Sequence, residues 1–75
     1  MTYTERIKLL GERIKLYRVN YGMTQKELAN KTRLTEVTIS RYVNNQRMPK
    51  ASHIKTLCKV LCVSADWLLG VKEGE

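Results

Sequence analysis

The chain of 75 residues has no apolar run approaching the ~20 residues that a membrane-spanning helix needs. Its first residues, Met1-Thr2-Tyr3-Thr4-Glu5, offer neither a long apolar run nor a small-residue cleavage pattern, so export is not expected. Cysteine is scarce. Cys58 and Cys62 stand four apart, which is no disulfide framework and points to a reducing, cytoplasmic setting. His53 is the only histidine, and a metal held by it and the two cysteines would want a fourth ligand that the sequence does not supply; Cys58 reads instead as a small core residue. A single proline and four glycines speak against disorder and low complexity. A glycine-rich phosphate loop is missing, as is a histidine in a setting suited to a Ser-His-Asp triad. Neither catalysis nor a cofactor is therefore expected. Acidic residues are also in deficit, seven Asp+Glu against fourteen Lys+Arg, for a net charge of +7. That imbalance points to a polyanionic partner, either nucleic acid or an acidic membrane face. A single domain of this length buries only ~60% of its unfolded surface, which leaves little room for a large enclosed active site.

What the sequence does contain is helical spacing and helix ends. Ile7, Leu10, Ile14, Tyr17 and Tyr21 recur at steps of three and four, the apolar stripe of a first helix over about 5–20, which Gly22 stops. Thr24-Gln25-Lys26-Glu27 has the form of a capping box and opens a second helix, 25–32. Leu34 stands alone in a polar turn. Thr35 then caps a third helix, 36–44, with Glu36 in its first turn and Ile39, Tyr42 and Val43 on its inner face. Asn44-Asn45 ends it, since Asn tolerates the left-handed conformation. A fourth helix spans 51–61 with Ile54, Leu57, Cys58 and Leu61 inward, and a fifth, 65–69, lies between Ser64 and Gly70. Trp67 reads as core, as does the Tyr17 and Tyr21 stripe, and the tail from Val71 to Glu75 is expected to fray. With no period-two run, the fold class is all-α: one domain of five helices.

Residues Thr24 to Asn45 are the informative stretch. Two short capped helices joined by a turn make a helix-turn-helix. Ala29 must be small where the helices cross, Leu34 must plug the turn, and Ile39 must anchor the second helix of the pair. The outer face of that helix must fit a groove about 12 Å wide. At these residues the chain resembles the Cro/repressor (lambda-repressor-like, XRE-type) family of bacterial and phage DNA-binding domains. The likeness is carried by Thr24-Gln25-Lys26-Glu27-Leu28-Ala29, by Thr35 with Ile39-Ser40, by Pro49 followed by Ile54, Leu57 and Leu61, and by Val63-Ser64-Ala65-Asp66-Trp67-Leu68-Leu69-Gly70. It covers roughly residues 5 to 70.

The resemblance implies roles. Gln25 would bind a backbone phosphate. Thr35, Glu36, Val37, Thr38, Ser40 and Arg41 would face the major groove, and the Asn45-Gln46-Arg47 loop would grip the phosphate beyond the helix end. Chemistry suits these tasks. Arg41 can reach guanine O6 and N7, Glu36 can accept from cytosine N4, and Val37 can pack on a thymine methyl. The Thr and Ser hydroxyls can bond phosphate or a base edge. Base reading therefore falls to Glu36, Val37, Ser40 and Arg41, and backbone contact to Gln25, Thr35, Thr38, Asn45, Gln46 and Arg47. Bland alternatives stand beside these. Glu36 could serve only the helix dipole, and Val37 could be partly buried against the second helix. The chain departs from the family pattern at Val43-Asn44-Asn45, where many members have Glu-Asn-Gly. Arg18, which pairs with that Glu in some members, must find another acceptor or point at phosphate. Cys62 stands where Gly or Asn usually ends the fourth helix.

Charge supports the same face. Glu36 and Asp66 have no acidic residue between them, whereas Arg41, Arg47, Lys50, Lys55 and Lys59 all fall in that window. The expectation is a sequence-specific regulator that binds double-stranded DNA, most simply a repressor. It would occupy an inverted-repeat operator as a homodimer, since one such module buries little surface. Family likeness favours Met48 to Ala51 with Ala65, Leu68, Leu69 and Val71 as the dimer surface. Two rivals remain. One is a DNA-binding antitoxin or a regulator working through a protein partner such as a toxin or inducer. The other is a basic helix on an acidic membrane, which would want Trp or Phe at the apolar edge of a strongly amphipathic helix.

Overall fold

A computed structural model of the chain describes residues 2–71, which hold five α-helices and no strand. They are α1 (Tyr3–Asn20), α2 (Gln25–Thr32), α3 (Glu36–Val43), α4 (Ala51–Leu61) and α5 (Ala65–Leu69). The bounds of α2, α4 and α5 are those expected. α1 starts two residues early because Thr2 builds a capping box of its own. Its hydroxyl accepts from the Glu5 N–H at 3.2 Å, and the Glu5 carboxylate accepts from the Thr2 N–H at 3.2 Å. This is the pattern read at Thr24-x-x-Glu27, present again at Thr2-x-x-Glu5, where apolar spacing alone passes over it. α3 ends at Val43, one residue early, since Asn44 turns out of the helix at φ −90° and ψ 14°. The tail expected to fray lies, past Val71, outside the described residues.

The core is aliphatic, and every helix contributes. Leu10 and Ile14 of α1, Leu28 of α2, Ile39 of α3, Leu57 and Leu61 of α4 and Leu68 of α5 are fully buried. Each such side chain is worth roughly 1.5–3 kcal/mol by area removed from water. Ala29 and Tyr42 are nearly as buried, and Leu34 packs on the core from the turn. Two expectations about the core are corrected. Tyr21 leaves the α1 stripe, because the chain has already turned off the helix at that residue. It is 50% exposed, with its ring edge-on to Tyr17 and its hydroxyl donating to the Leu61 carbonyl at 3.1 Å. Ile54 is half-buried rather than inward-facing with Leu57. Trp67 packs on the core from its rim, edge-on to Tyr17 at 5.0 Å. Cys58 packs there too, and burial pushes its thiol up from the ordinary range.

Each helix ends the same way. Gly22, Arg33, Asn45, Cys62 and Gly70 take positive φ, between 58° and 70°, one after each helix. The following N–H reaches back across the last turn: Met23 to Arg18, Leu34 to Ala29, Gln46 to Arg41, Val63 to Cys58 and Val71 to Asp66, at 2.8–3.0 Å. This is the Schellman geometry, which satisfies a carbonyl that helix termination would otherwise orphan. Only two of the five residues are glycine. Nothing local in the sequence marks Arg33 for the left-handed conformation that it takes.

Two contacts position α1 against the rest. Its arginines cap the far end of α5. Arg13, 8% exposed, lies with its guanidinium 4.2 Å from the Trp67 ring centre and donates to the Trp67 carbonyl, and Arg6 donates to the Leu69 carbonyl at 3.1 Å. The second contact is at Gly11, in the middle of α1. A Cβ there would lie 2.7 Å and 2.8 Å from the carbonyl oxygens of Tyr42 and Val43, and 2.6 Å from Asn45 Oδ1. The end of α3 therefore rests on bare α1 backbone.

Two variants follow. Gly11→Ala should lower stability by roughly 1–3 kcal/mol, because overpacking against two backbone carbonyls outweighs alanine's ~1 kcal/mol helix advantage. Thermal melting followed by circular dichroism should show the loss, and an unchanged or raised Tm would remove the close approach. Cys62→Gly should instead raise the Tm by a few degrees, since removing a left-handed penalty of about 1–2 kcal/mol exceeds the added chain entropy of ~0.5–1 kcal/mol. A lowered Tm in the same assay would contradict it.

Candidate nucleic-acid interface

α2 and α3 are joined by Arg33, Leu34 and Thr35 and pack on each other. Their start points are set by caps. The Thr24 hydroxyl accepts from the Glu27 N–H at 3.1 Å, and the Glu27 carboxylate accepts from the Thr24 N–H at 3.1 Å. Those bonds, the backbone one foremost, hold the Glu27 carboxyl below its usual range. In α3 the Thr35 hydroxyl accepts from the Thr38 N–H at 3.1 Å and lies 2.8 Å from the Thr38 hydroxyl. Ser40 Oγ accepts from Asn44 Nδ2 at 3.1 Å. Three of the hydroxyls assigned to the interface are thus already engaged inside the helix.

With Ile39 and Tyr42 turned into the core, the 100° step between helix residues puts Glu36, Val37, Ser40 and Arg41 on the opposite side. Val37 is 59% exposed, so most of its surface faces solvent and not α2. Glu36 and Arg41 are also exposed. Gln25, half-buried at the start of α2, and Gln46, beyond α3, complete an open hollow with these four. A second hollow adjoins it through Arg41, where Thr38 and Arg47 meet Tyr42, Lys50 and His53.

Thr35 and Asn45 line neither hollow. Asn45, with φ 62°, holds its Oδ1 against Gly11, on the α1 side of the loop. Lys50, part of the acid-free basic window, joins the site just before α4. Tyr42 and His53 carry no site signal in the sequence, because they meet only in three dimensions. Arg18 finds its acceptor in the α1–α2 loop, donating to the Met23 carbonyl at 2.6 Å. The expected dimer surface is corrected in part. Leu68 is fully buried and Pro49 is buried, so neither can meet a second copy; Lys50, Ala51, Ala65 and Val71 of that set are exposed.

Among the described residues no three His, Cys, Asp or Glu side chains gather to hold a metal, and no helix is long and apolar enough to cross a membrane.

Two short helices in tight contact, the second with one face in the core and a polar face outward, define a helix-turn-helix module. The family pattern described as helix-turn-helix matches residues 14–68, and the chain belongs to the lambda-repressor-like helix-turn-helix family. It is similar to the HTH-type transcriptional regulator ImmR of Bacillus subtilis (strain 168), 38% identical over 64 residues, covering 85% of this chain and 50% of ImmR. It is similar also to the HTH-type transcriptional regulator DicA of Escherichia coli (strain K12), 33% identical over 60 residues, covering 80% of this chain and 44% of DicA. The chain therefore spans about half the length of these curated relatives. The solved structure of a hypothetical transcription factor NHTF from Neisseria superposes with a TM-score of 0.78 at 30% identity, over 84% of this chain and 72% of that one. The clp gene regulator ClgR from Corynebacterium glutamicum shares the fold, with a TM-score of 0.77 at 22% identity over 85% and 68%.

Proposed function

We propose that this chain is a sequence-specific double-stranded DNA-binding transcriptional regulator that represses by occupying its operator. The observation that carries the reading is the exposed face of α3. It has an apolar side chain, Val37, and a guanidinium, Arg41, beside each other over an open hollow. An exposed valine is unfavourable in water and suits a thymine methyl, and an arginine beside it suits guanine. The similarity to proteins named as transcriptional regulators supports the same reading. Gln25, Thr35 and Thr38 would bond phosphates near the helix starts, and Gln46 and Arg47 beyond the far end of α3. Thr35 and Thr38 would do so, and Ser40 would meet a base edge, through lone pairs or rotated hydroxyls, since their present bonds are internal. Two copies on an inverted repeat would put two α3 helices in successive major grooves about 34 Å apart and exclude polymerase. Such a regulator works in the cytoplasm, with the chromosome.

Selection from a random duplex pool tests the whole reading. A symmetric enriched sequence with two half-sites is expected, and no enrichment would overturn sequence-specific binding. On the selected site, Arg41→Ala should cost about 1–3 kcal/mol and relax preference at one base position. Titrations against single-base variants would check this, and equal weakening on all of them would make Arg41 a phosphate contact. Arg47→Ala should weaken binding to all duplexes alike and flatten the slope of log K against log salt by about one. A slope unchanged in a salt series would remove the loop from the interface.

A further inference from the structure

The hollow at the junction of α3 and α4 holds more than the contacts just assigned. It has a volume of about 150 Å³ and is lined by Thr38, Arg41 and Tyr42 of α3, Arg47 and Lys50 of the connecting segment and His53 of α4, with three cations and no acid. At its base the Tyr42 hydroxyl lies 2.6 Å from His53 Nδ1. Tyr42 is only 3% exposed, and burial raises its phenol above the ordinary range, so the hydroxyl keeps its proton. A neutral phenol donates to Nδ1 only if the imidazole carries its own proton on Nε2. Nε2 forms no hydrogen bond with any described residue. With its proton on Nε2, the ring is a donor fixed by a bond across two helices, and with the Arg47 guanidinium and the Lys50 ammonium it makes a donor set for a phosphate oxygen.

We propose that this hollow seats one phosphate of the DNA backbone and that His53 takes up a proton from solvent as it fills. The proposal rests on the DNA-binding reading and adds to it a site and a pH dependence. In the unbound chain Arg41 and Tyr42 of α3, and Arg47 and Lys50 of the connecting segment, are the charged or titratable groups lining the hollow around His53. A phosphodiester seated beside Nε2 favours the charged ring, whose Nδ1–H then donates to the phenol oxygen while Nε2–H donates to phosphate. The ring binds its proton more tightly in the complex, so the added affinity is present at low pH and is lost as pH rises through the imidazole range, about 5–8.

His53 is the only histidine of the chain, so its ring protons can be followed by NMR without assignment ambiguity. The test titrates them with pH, with and without a mixed-sequence DNA duplex in phosphate-free buffer. It also measures duplex affinity over the same range at fixed ionic strength. The expected result is a higher titration midpoint in the complex and an affinity that falls by up to roughly tenfold from the acid to the alkaline end. His53→Gln should abolish that pH dependence while still binding the duplex at alkaline pH. Lys50→Gln should flatten the salt slope by about one. Duplex binding with an unmoved His53 midpoint overturns the proposal alone. Failure to bind any duplex at any pH overturns it together with the DNA-binding reading.

Discussion

The contact on which the arrangement turns is backbone against backbone. The last carbonyls of α3, those of Tyr42 and Val43, come so close to Gly11 that no side chain fits between them and α1. That approach sets the depth and direction of α3. Ile39 and Tyr42 then fall into the core, and Glu36, Val37, Ser40 and Arg41 fall outside it. At Asn45 the chain makes the same left-handed helix ending as after the other four helices, and there the Asn45 amide oxygen is laid against Gly11. A candidate DNA-reading helix is thus aimed by a residue on another helix, some thirty positions away, which has no side chain of its own.

The positive charge divides into two uses. Arg6, Arg13 and Arg18 of α1 serve the fold, each donating to a backbone carbonyl at a helix end or loop: Leu69, Trp67 and Met23. The first two lie at the C-terminal end of α5, where the helix dipole favours a cation, and the Trp67 carbonyl also accepts from the Gly70 N–H at 3.1 Å. Arg41, Arg47 and Lys50 stay exposed around the two hollows. A further group, Lys31, Arg33, Lys55 and Lys59, surrounds a groove between α2 and α4. The net charge therefore overstates what is available to a polyanion, because part of it is engaged inside the domain.

How much of the candidate site could be read in advance depends on the kind of signal. Thr24 and Thr35 announce their helices because capping is local, a hydroxyl meeting an N–H three residues on. Once the helix starts are known, the outward face of α3 follows from periodicity. The neighbourhood of each residue does not. Thr35 and Thr38 look like two separate phosphate donors in the sequence, but in the fold they bond each other. Asn45 looks like part of a phosphate-gripping loop, yet its side chain turns toward α1. Tyr42 and His53, eleven residues apart on different helices, meet at 2.6 Å, and no local pattern records that.

By itself the sequence determined the number of helices, nearly all of their ends, the polarity of each face and the acid-free window around α3. All of these come from interactions within a few residues along the chain, where spacing and chemistry are read together. Only the tertiary structure decided that Gly11 is a seat rather than a gap in a helix, that Leu68 and Pro49 are interior, that Tyr21 lies outside the core and that six polar and basic residues enclose a hollow at the α3–α4 junction. These depend on how rigid helices stack against one another. Stacking is set by the fit of all their surfaces at once, and no single segment carries that information.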